Sequence, residues 1–234
     1  MKPDLLLLHG ALGAAAQLQS LAQLLAADFT VHSLDFSGHG GRPVVAAEFA
    51  MPHFAREINQ YLGERQLATV HVFGYSMGGY AALLAATEQP AAFRSITTLG
   101  TKFDWSPEAA AAEGRLLDPE KLQAKVPQFA AQLASLHAPT PWPEVVTATA
   151  AMMRALGETP ALHELNLAPL TVPVQVLVGE LDKTAGVEDS RQFAAYLRQG
   201  TFEVLPATPH PLDRVDVAAL ARRIREFAAA NALN

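Results

Sequence analysis

The sequence predicts an α/β protein: a mostly parallel, open sheet of about six strands, covered by helices on both faces, with a helical cap inserted before the penultimate strand. Three observations lead there. Short apolar runs alternate with longer helical patterns along most of the chain. The runs are continuous more than alternating, as strands buried on both faces require. One long stretch, 101–168, holds several helix starts and no convincing strand. The composition suits such a fold. Half of the 234 residues are hydrophobic and 17% are charged, which fills a sizeable core and excludes a disordered chain.

The elements follow in order. The apolar run at 5–8, after Met1-Lys2, could be mistaken for a signal peptide, but it is far too short for a membrane span and lacks a clear cleavage site. It reads as a buried strand at 5–9. Further strands are expected at 30–34, 69–73, 95–99, 174–178 and 201–205, with helical patterns near 12–26, 48–65, 77–88, 187–198 and 213–230. In the last of these, Val217, Leu220, Ile224 and Phe227 share one helical face. Repeated β–α units imply right-handed crossovers. Within 101–168, Ser106-Pro107-Glu108 and Asp118-Pro119-Glu120 each supply a capping side chain, a proline at the first helical position and an early acid. Helices at 127–137 and 143–156 complete the stretch. The expected organisation is a core made of residues 1–100 and 169–234, and a cap or lid made of residues 101–168.

Charge and cysteine usage narrow the function. Twenty-three acidic residues against 17 basic ones give a net charge of −6, which argues against nucleic-acid binding. The absence of cysteine excludes disulfides, thiolate catalysis and Cys-ligated metals. The expectation is a cytoplasmic protein, a monomer or homodimer, that meets a small-molecule substrate and no membrane.

The strongest chemical signal is Gly74-Tyr75-Ser76-Met77-Gly78-Gly79, placed between an apolar strand and a helix. In that context Gly-x-Ser-x-Gly forms a sharp turn that projects Ser76 from the sheet edge, near a helix N-terminus that favours developing negative charge. The glycines let the flanking elements approach closely. His9-Gly10-Ala11-Leu12-Gly13 ends the first strand, where a backbone amide can bind an oxyanion; Ala11 is the candidate donor, with the Met77 amide as its partner. His9 reads as a structural residue of that loop. Ser76 needs a base. Of eight histidines, His210 alone lies in a loop between the last strand and the last helix, stiffened by Pro209 and Pro211. His32 and His71 lie in or beside strands, His39 in a turn, and His53, His137 and His163 in helical or lid regions. The orienting acid belongs in the loop after the strand at 174–178, where Asp182 is the better candidate and Glu180 the alternative. The order Ser76, Asp182, His210 is the one expected for such a sheet.

These residues carry a resemblance. His9-Gly10, Asp35-x-x-Gly38-His39-Gly40, Gly74-Tyr75-Ser76-Met77-Gly78-Gly79, Gly179-Glu180-Leu181-Asp182 and His210 occur in the order found in the α/β-hydrolase superfamily, and they span nearly the whole chain. The sequence resembles its serine-nucleophile, esterase- and lipase-like branch. The resemblance implies a sheet of eight strands in typical members, with a cap between the sixth and seventh; this chain starts at what would be the third strand, hence the expected six. It departs from the family at Pro209, where relatives usually carry glycine. The implied reaction is hydrolysis of a small ester or thioester through an acyl-enzyme, with no metal or organic cofactor. The family also admits a C–C bond hydrolase, an enol-lactonase, a perhydrolase, a lyase like that of menaquinone biosynthesis, and a slow-turnover ligand receptor. Leu12, Phe103, Trp105, Trp142 and Met152, with Met153, are the candidate pocket residues, although lid packing explains each of the cap residues equally well. Lys102, Arg115 and Arg154 are the cations that could contribute to an anion site.

Overall fold

The computed structural model describes residues 2–232. Its strands are β1 (Asp4–Leu8), β2 (Thr30–Leu34), β3 (Val70–Tyr75), β4 (Phe93–Leu99), β5 (Val174–Gly179) and β6 (Gly200–Leu205). All pair in parallel in the order β2-β1-β3-β4-β5-β6. The helices are α1 (Gln19–Leu25), α2 (Met51–Glu64), α3 (Met77–Glu88), α4 (Pro107–Leu116), α5 (Pro119–Lys125), α6 (Pro127–His137), α7 (Trp142–Glu158), α8 (Glu164–Leu167), α9 (Val187–Tyr196) and α10 (Val217–Ala230).

The unbroken apolar runs have the expected cause: alternate residues face opposite sides, and both sides are covered. Leu5, Leu7 and Phe73 pack with Leu21 and Leu25 of α1 and with Leu220 and Ile224 of α10. Leu6, Leu8 and Val72 pack with Phe54 and Ile58 of α2 and with Leu83 of α3. Between β4 and β5 the chain makes only helices. Ser106 and Asp118 cap α4 and α5 as their sequences predict: Ser106 Oγ accepts from Ala109 N–H, and Asp118 Oδ1 accepts from the Glu120 and Lys121 amides. This helical segment shares a core with the sheet, because Trp105, Met152, Leu156 and Leu162 belong to the same buried cluster as Phe54 and Leu83. Among the described residues, no helix is long and apolar enough to cross a membrane.

Some boundaries differ from the sequence reading. The first pattern, near 12–26, becomes a loop, a short 3-10 turn at Ala15–Leu18 and then α1. The strand expected at 5–9 stops at Leu8, because the His9 side chain turns back onto the loop that follows. The last pattern starts as a 3-10 turn, Leu212–Arg214, and α10 begins only after Asp216, whose carboxylate accepts from Ala219 N–H.

The topology decides where a site can form. Strand β1 has β2 on one side and β3 on the other. The chain therefore leaves β1 in one direction and later passes to its other side, so the loops after β1 and β3 diverge and open a crevice at the C-terminal edge of the sheet.

Candidate active site

Ser76 sits in that crevice, between β3 and α3, with φ 51° and ψ −114°. A non-glycine residue there is strained by on the order of 1–3 kcal/mol and persists only when its surroundings over-determine it. They do so here. Ser76 N–H donates to Leu99 O at 2.8 Å, and Ser76 O accepts from Gly79 N–H at 3.1 Å and from Thr101 Oγ1 at 3.0 Å. The start of α3 lies against the end of β1: a Cβ on Gly78 would fall 2.6 Å from the carbonyl oxygens of Leu8 and His9, so only glycine allows this approach. That contact brings the loop after β1 beside Met77.

The orientation of Ala11 follows from peptide planarity. Gly10 O accepts from Gly13 N–H at 3.0 Å, and His9 Nδ1 lies 2.8 Å from the same oxygen. Phe36 N–H donates to His9 Nε2 at 3.2 Å, so the ring proton belongs on Nδ1 and points at Gly10 O. In a trans peptide the Ala11 N–H then points the opposite way. Ala11, Ser76 and Met77 line one cavity. Among the described residues, neither the Ala11 nor the Met77 amide donates to a protein acceptor. Two undirected amides beside a serine at a helix N-terminus can donate to an oxygen that gains negative charge. His9 is fully buried; burial lowers its pKa to about 4, so the ring is neutral at physiological pH, as its hydrogen bonds require.

Asp182 follows β5 and His210 follows β6, at the same edge. His210 Nδ1 lies 2.8 Å from Asp182 Oδ2. Asp182 Oδ1 accepts from the Thr184 and Ala185 amides, each at 2.9 Å. The carboxylate is buried with three donors, while the His210 side chain keeps 22% of its surface exposed. Glu180, by contrast, is exposed and accepts from Ala207 N–H at 2.8 Å, away from His210. Gly100, at the end of β4 with φ 61°, makes room for the pair: a Cβ there would lie 2.9 Å from Asp182 Oδ2 and 3.2 Å from His210 Nδ1. Tyr75 ties the pair to the serine turn, since its hydroxyl donates to His210 O at 2.9 Å. Burial, and then the Asp182 charge, push the Tyr75 hydroxyl well above its usual range, which keeps it a donor.

The cavity around Ser76 is small, about 30 Å³. Trp105 and Met152 line it with Met153, Met51, Tyr80 and Lys102. Three other expected pocket residues lie elsewhere. Phe103 stacks on Phe193 of α9, with ring centroids 3.4 Å apart, and faces a separate depression beside His163. Trp142 starts α7 and lines a separate, open depression shared with Pro119 and Gln123 of α5. Leu12, at φ 58°, is not among the residues that line this cavity, and its carbonyl is bound by His137. The reason is common to all three. A periodic pattern names a buried residue but not the neighbour it is buried against. Met51 and Tyr80 were missed in the sequence because both read as ordinary apolar positions of their helices. Tyr80 also fastens the segment to α3, accepting from Leu162 N–H at 2.8 Å.

Met152 also lines a second, larger space. This is an open apolar groove of about 730 Å³ between residues 44–50 and α7, walled by Phe49, Ala148, Ala151 and Ala155. Lys102 Nζ donates to Thr184 O at 3.1 Å and stands 3.7 Å from Glu113, so its charge is already partnered. Among the described residues, no group of three or more histidine, aspartate or glutamate side chains is arranged to hold a metal ion.

Comparison with known proteins agrees with this architecture. A model of the alpha/beta hydrolase family matches residues 5–230. A pimeloyl-[acyl-carrier protein] methyl ester esterase of Aeromonas salmonicida is 33% identical over 100 residues, which is 42% of this chain and 38% of that protein. The match thus spans little more than a third of that relative's length. Among solved structures, NosK from Streptomyces actuosus superposes with a TM-score of 0.84 at 23% identity, covering 99% of this chain and 100% of that one. A thermophilic esterase from Thermogutta terrifontis superposes with a TM-score of 0.79 at 22% identity, covering 98% and 90%. At such identities these two likenesses concern the fold alone.

Proposed function

The chain belongs to the alpha/beta hydrolase family, and from that premise we propose that it is a serine hydrolase that cleaves a small ester through a Ser76–His210–Asp182 triad. The observation that carries the reading is the 2.8 Å pair of His210 Nδ1 and Asp182 Oδ2, held at the same sheet edge as the left-handed Ser76. In this reading His210 Nε2 takes the Ser76 proton as Oγ attacks the ester carbonyl. Asp182 holds the imidazole in the required tautomer and stabilises its charged form. The Ala11 and Met77 amides take up the oxyanion. The tetrahedral species collapses, the C–O bond to the leaving alcohol breaks, and His210 returns the proton to that alcohol. Water, deprotonated by His210, then releases the acid and regenerates Ser76. Helices α4–α8 act as the cap over this chemistry.

An ester agrees with the name borne by the partial relative, a methyl ester esterase. The groove supports an acyl part that is apolar and chain-like. It is lined largely by alanines, and Met152 is the partition between it and the Ser76 cavity. A series of p-nitrophenyl esters of increasing acyl length, assayed with wild type, Ser76→Ala and Ala151→Trp, tests both parts. Ser76→Ala is expected to lose nearly all turnover. Ala151→Trp, which fills the groove, is expected to lose activity selectively on long chains, by on the order of 1–3 kcal/mol in kcat/KM. Full activity in Ser76→Ala refutes the triad, and an unchanged chain-length profile in Ala151→Trp refutes the groove.

A further inference from the structure

Helix α6 ends on a histidine that its own segment does not use. His137 is completely buried, and both of its ring nitrogens are bound by backbone groups of other loops. Gly40 N–H, in the loop after β2, donates to Nδ1 at 3.2 Å. Nε2 lies 3.1 Å from Leu12 O, in the loop after β1. Since Nδ1 accepts from an amide, the proton resides on Nε2 and donates to the Leu12 carbonyl. This residue next to Ala11 has φ 58°, a conformation costly for leucine that must be held from outside. The loop's other ties come from within it, Gly13 N–H and His9 Nδ1–H to Gly10 O, and from the loop after β2, where Phe36 N–H donates to His9 Nε2 and Asp35 Oδ1 accepts from Ala15 N–H. His137 is the tie that comes from the helical segment. The rings also touch in series: His39 meets His137 edge-on at 5.7 Å and His9 at a tilt at 5.0 Å, centroid to centroid.

We infer that His137 is a positioning residue for the oxyanion site: through the Leu12 carbonyl it locks the strained loop so that the Ala11 amide faces Ser76, and it makes that lock depend on the seating of α6. The inference rests on the serine-hydrolase reading above. It differs from simple packing in needing one donor and one acceptor in a fixed order. The geometry also forbids a charged ring, because a proton on Nδ1 would face the Gly40 N–H, donor against donor. The titratable and charged groups around it are His9 after β1, and Asp35, His39 and Arg42 after β2, with Glu57 of α2 beyond. Burial lowers the pKa of His137, so the ring is neutral and the lock intact at neutral pH.

The test compares His137→Leu, which removes both bonds, with His137→Gln, whose amide oxygen and nitrogen reproduce the acceptor and donor without titrating. The readouts are kcat and KM on p-nitrophenyl acetate, Ki for a trifluoromethyl ketone that forms an oxyanion on the serine, and the pH profile. His137→Leu is expected to lower kcat by roughly 10- to 100-fold with KM nearly unchanged, and to weaken the ketone in proportion, as misplacing one donor does. His137→Gln is expected to restore most of both and to lose less activity than wild type on acidification. If His137→Leu does not fold, His137→Met, which fills the same space with neither bond, replaces it and is expected to show the same kcat-selective loss. Wild-type kcat and ketone affinity in the soluble variants, or a loss confined to KM, overturns the role of His137 while leaving the hydrolase standing. Full turnover by Ser76→Ala in the same assay overturns both.

Discussion

Replacing Asp182 with asparagine changes one atom and separates its role from that of its neighbour Glu180. The Thr184 and Ala185 amides, both 2.9 Å from Oδ1, keep an oxygen at that position. The new NH2 group must then occupy the place of Oδ2, 2.8 Å from His210 Nδ1. An NH2 group only donates, so Nδ1 has to become an acceptor and the ring proton moves to Nε2. That is the nitrogen required to take the Ser76 proton. The wrong tautomer costs about 10⁴ in kcat where this change has been made in a comparable triad, or about 5.4 kcal/mol at 1.36 kcal/mol per tenfold. The fold loses far less, roughly 1–2 kcal/mol, since volume and two of three hydrogen bonds survive. Steady-state turnover of p-nitrophenyl acetate, with thermal melting as the folding control, measures both. Glu180→Gln is the comparison; it touches only the exposed bond to Ala207 and is expected to keep activity within a few-fold. Equal losses in the two variants, or less than a tenfold loss in Asp182→Asn, refute the assignment of the acid.

Two further outcomes are expected. Burial lowers the pKa values of His9, His39, His71 and His137, with His9 and His71 near 4, so the unfolded chain binds more protons below the ordinary histidine value of 6.5. Their contribution is complete above about pH 6.5 and declines as pH falls towards 4; for His9 alone it amounts to ~2 kcal/mol lost at pH 5. Urea unfolding at pH 8 and pH 5 checks this, and an unfolding free energy that does not fall on acidification contradicts it. Trp105 is 6% exposed, lines the Ser76 cavity and donates from Nε1 to Lys102 O, whereas Trp142 lies outside that cavity. Trp105→Phe is therefore expected to alter the acyl-length profile of the esterase assay and Trp142→Ala to leave it unchanged; the reverse pattern places the pocket elsewhere.

Local chemistry made much of this protein legible. The inner strands β1, β3, β4 and β5 are short runs buried on nearly every residue, so both of their faces must be covered, and for β1, β3 and β5 that requirement is visible in the apolar text itself. Ser106 and Asp118 announce their helices because a cap acts within three residues. Ser76 is recognisable because the turn that strains it is built from its immediate neighbours. Asp182 and Glu180, by contrast, are two residues apart in one loop and equivalent as text. Only the hydrogen bonds from Thr184, Ala185 and His210 separate the buried acid from the exposed one.

The sequence by itself determined the α/β class, the strand count, the helical segment at 101–168 and the order of the candidate site residues, because these depend on periodicity and on contacts within a few residues. The tertiary structure decided what lies beside what. It set the order that puts β3 next to β1 and so opens the crevice at Ser76. It turned Phe103 onto Phe193 and left Trp142 in a separate depression shared with α5, while bringing Met51 and Tyr80 to the cavity. It joined His137 to Leu12, 125 residues away. Such contacts depend on how whole helices seat on the sheet, a sum over many side chains that no local pattern encodes.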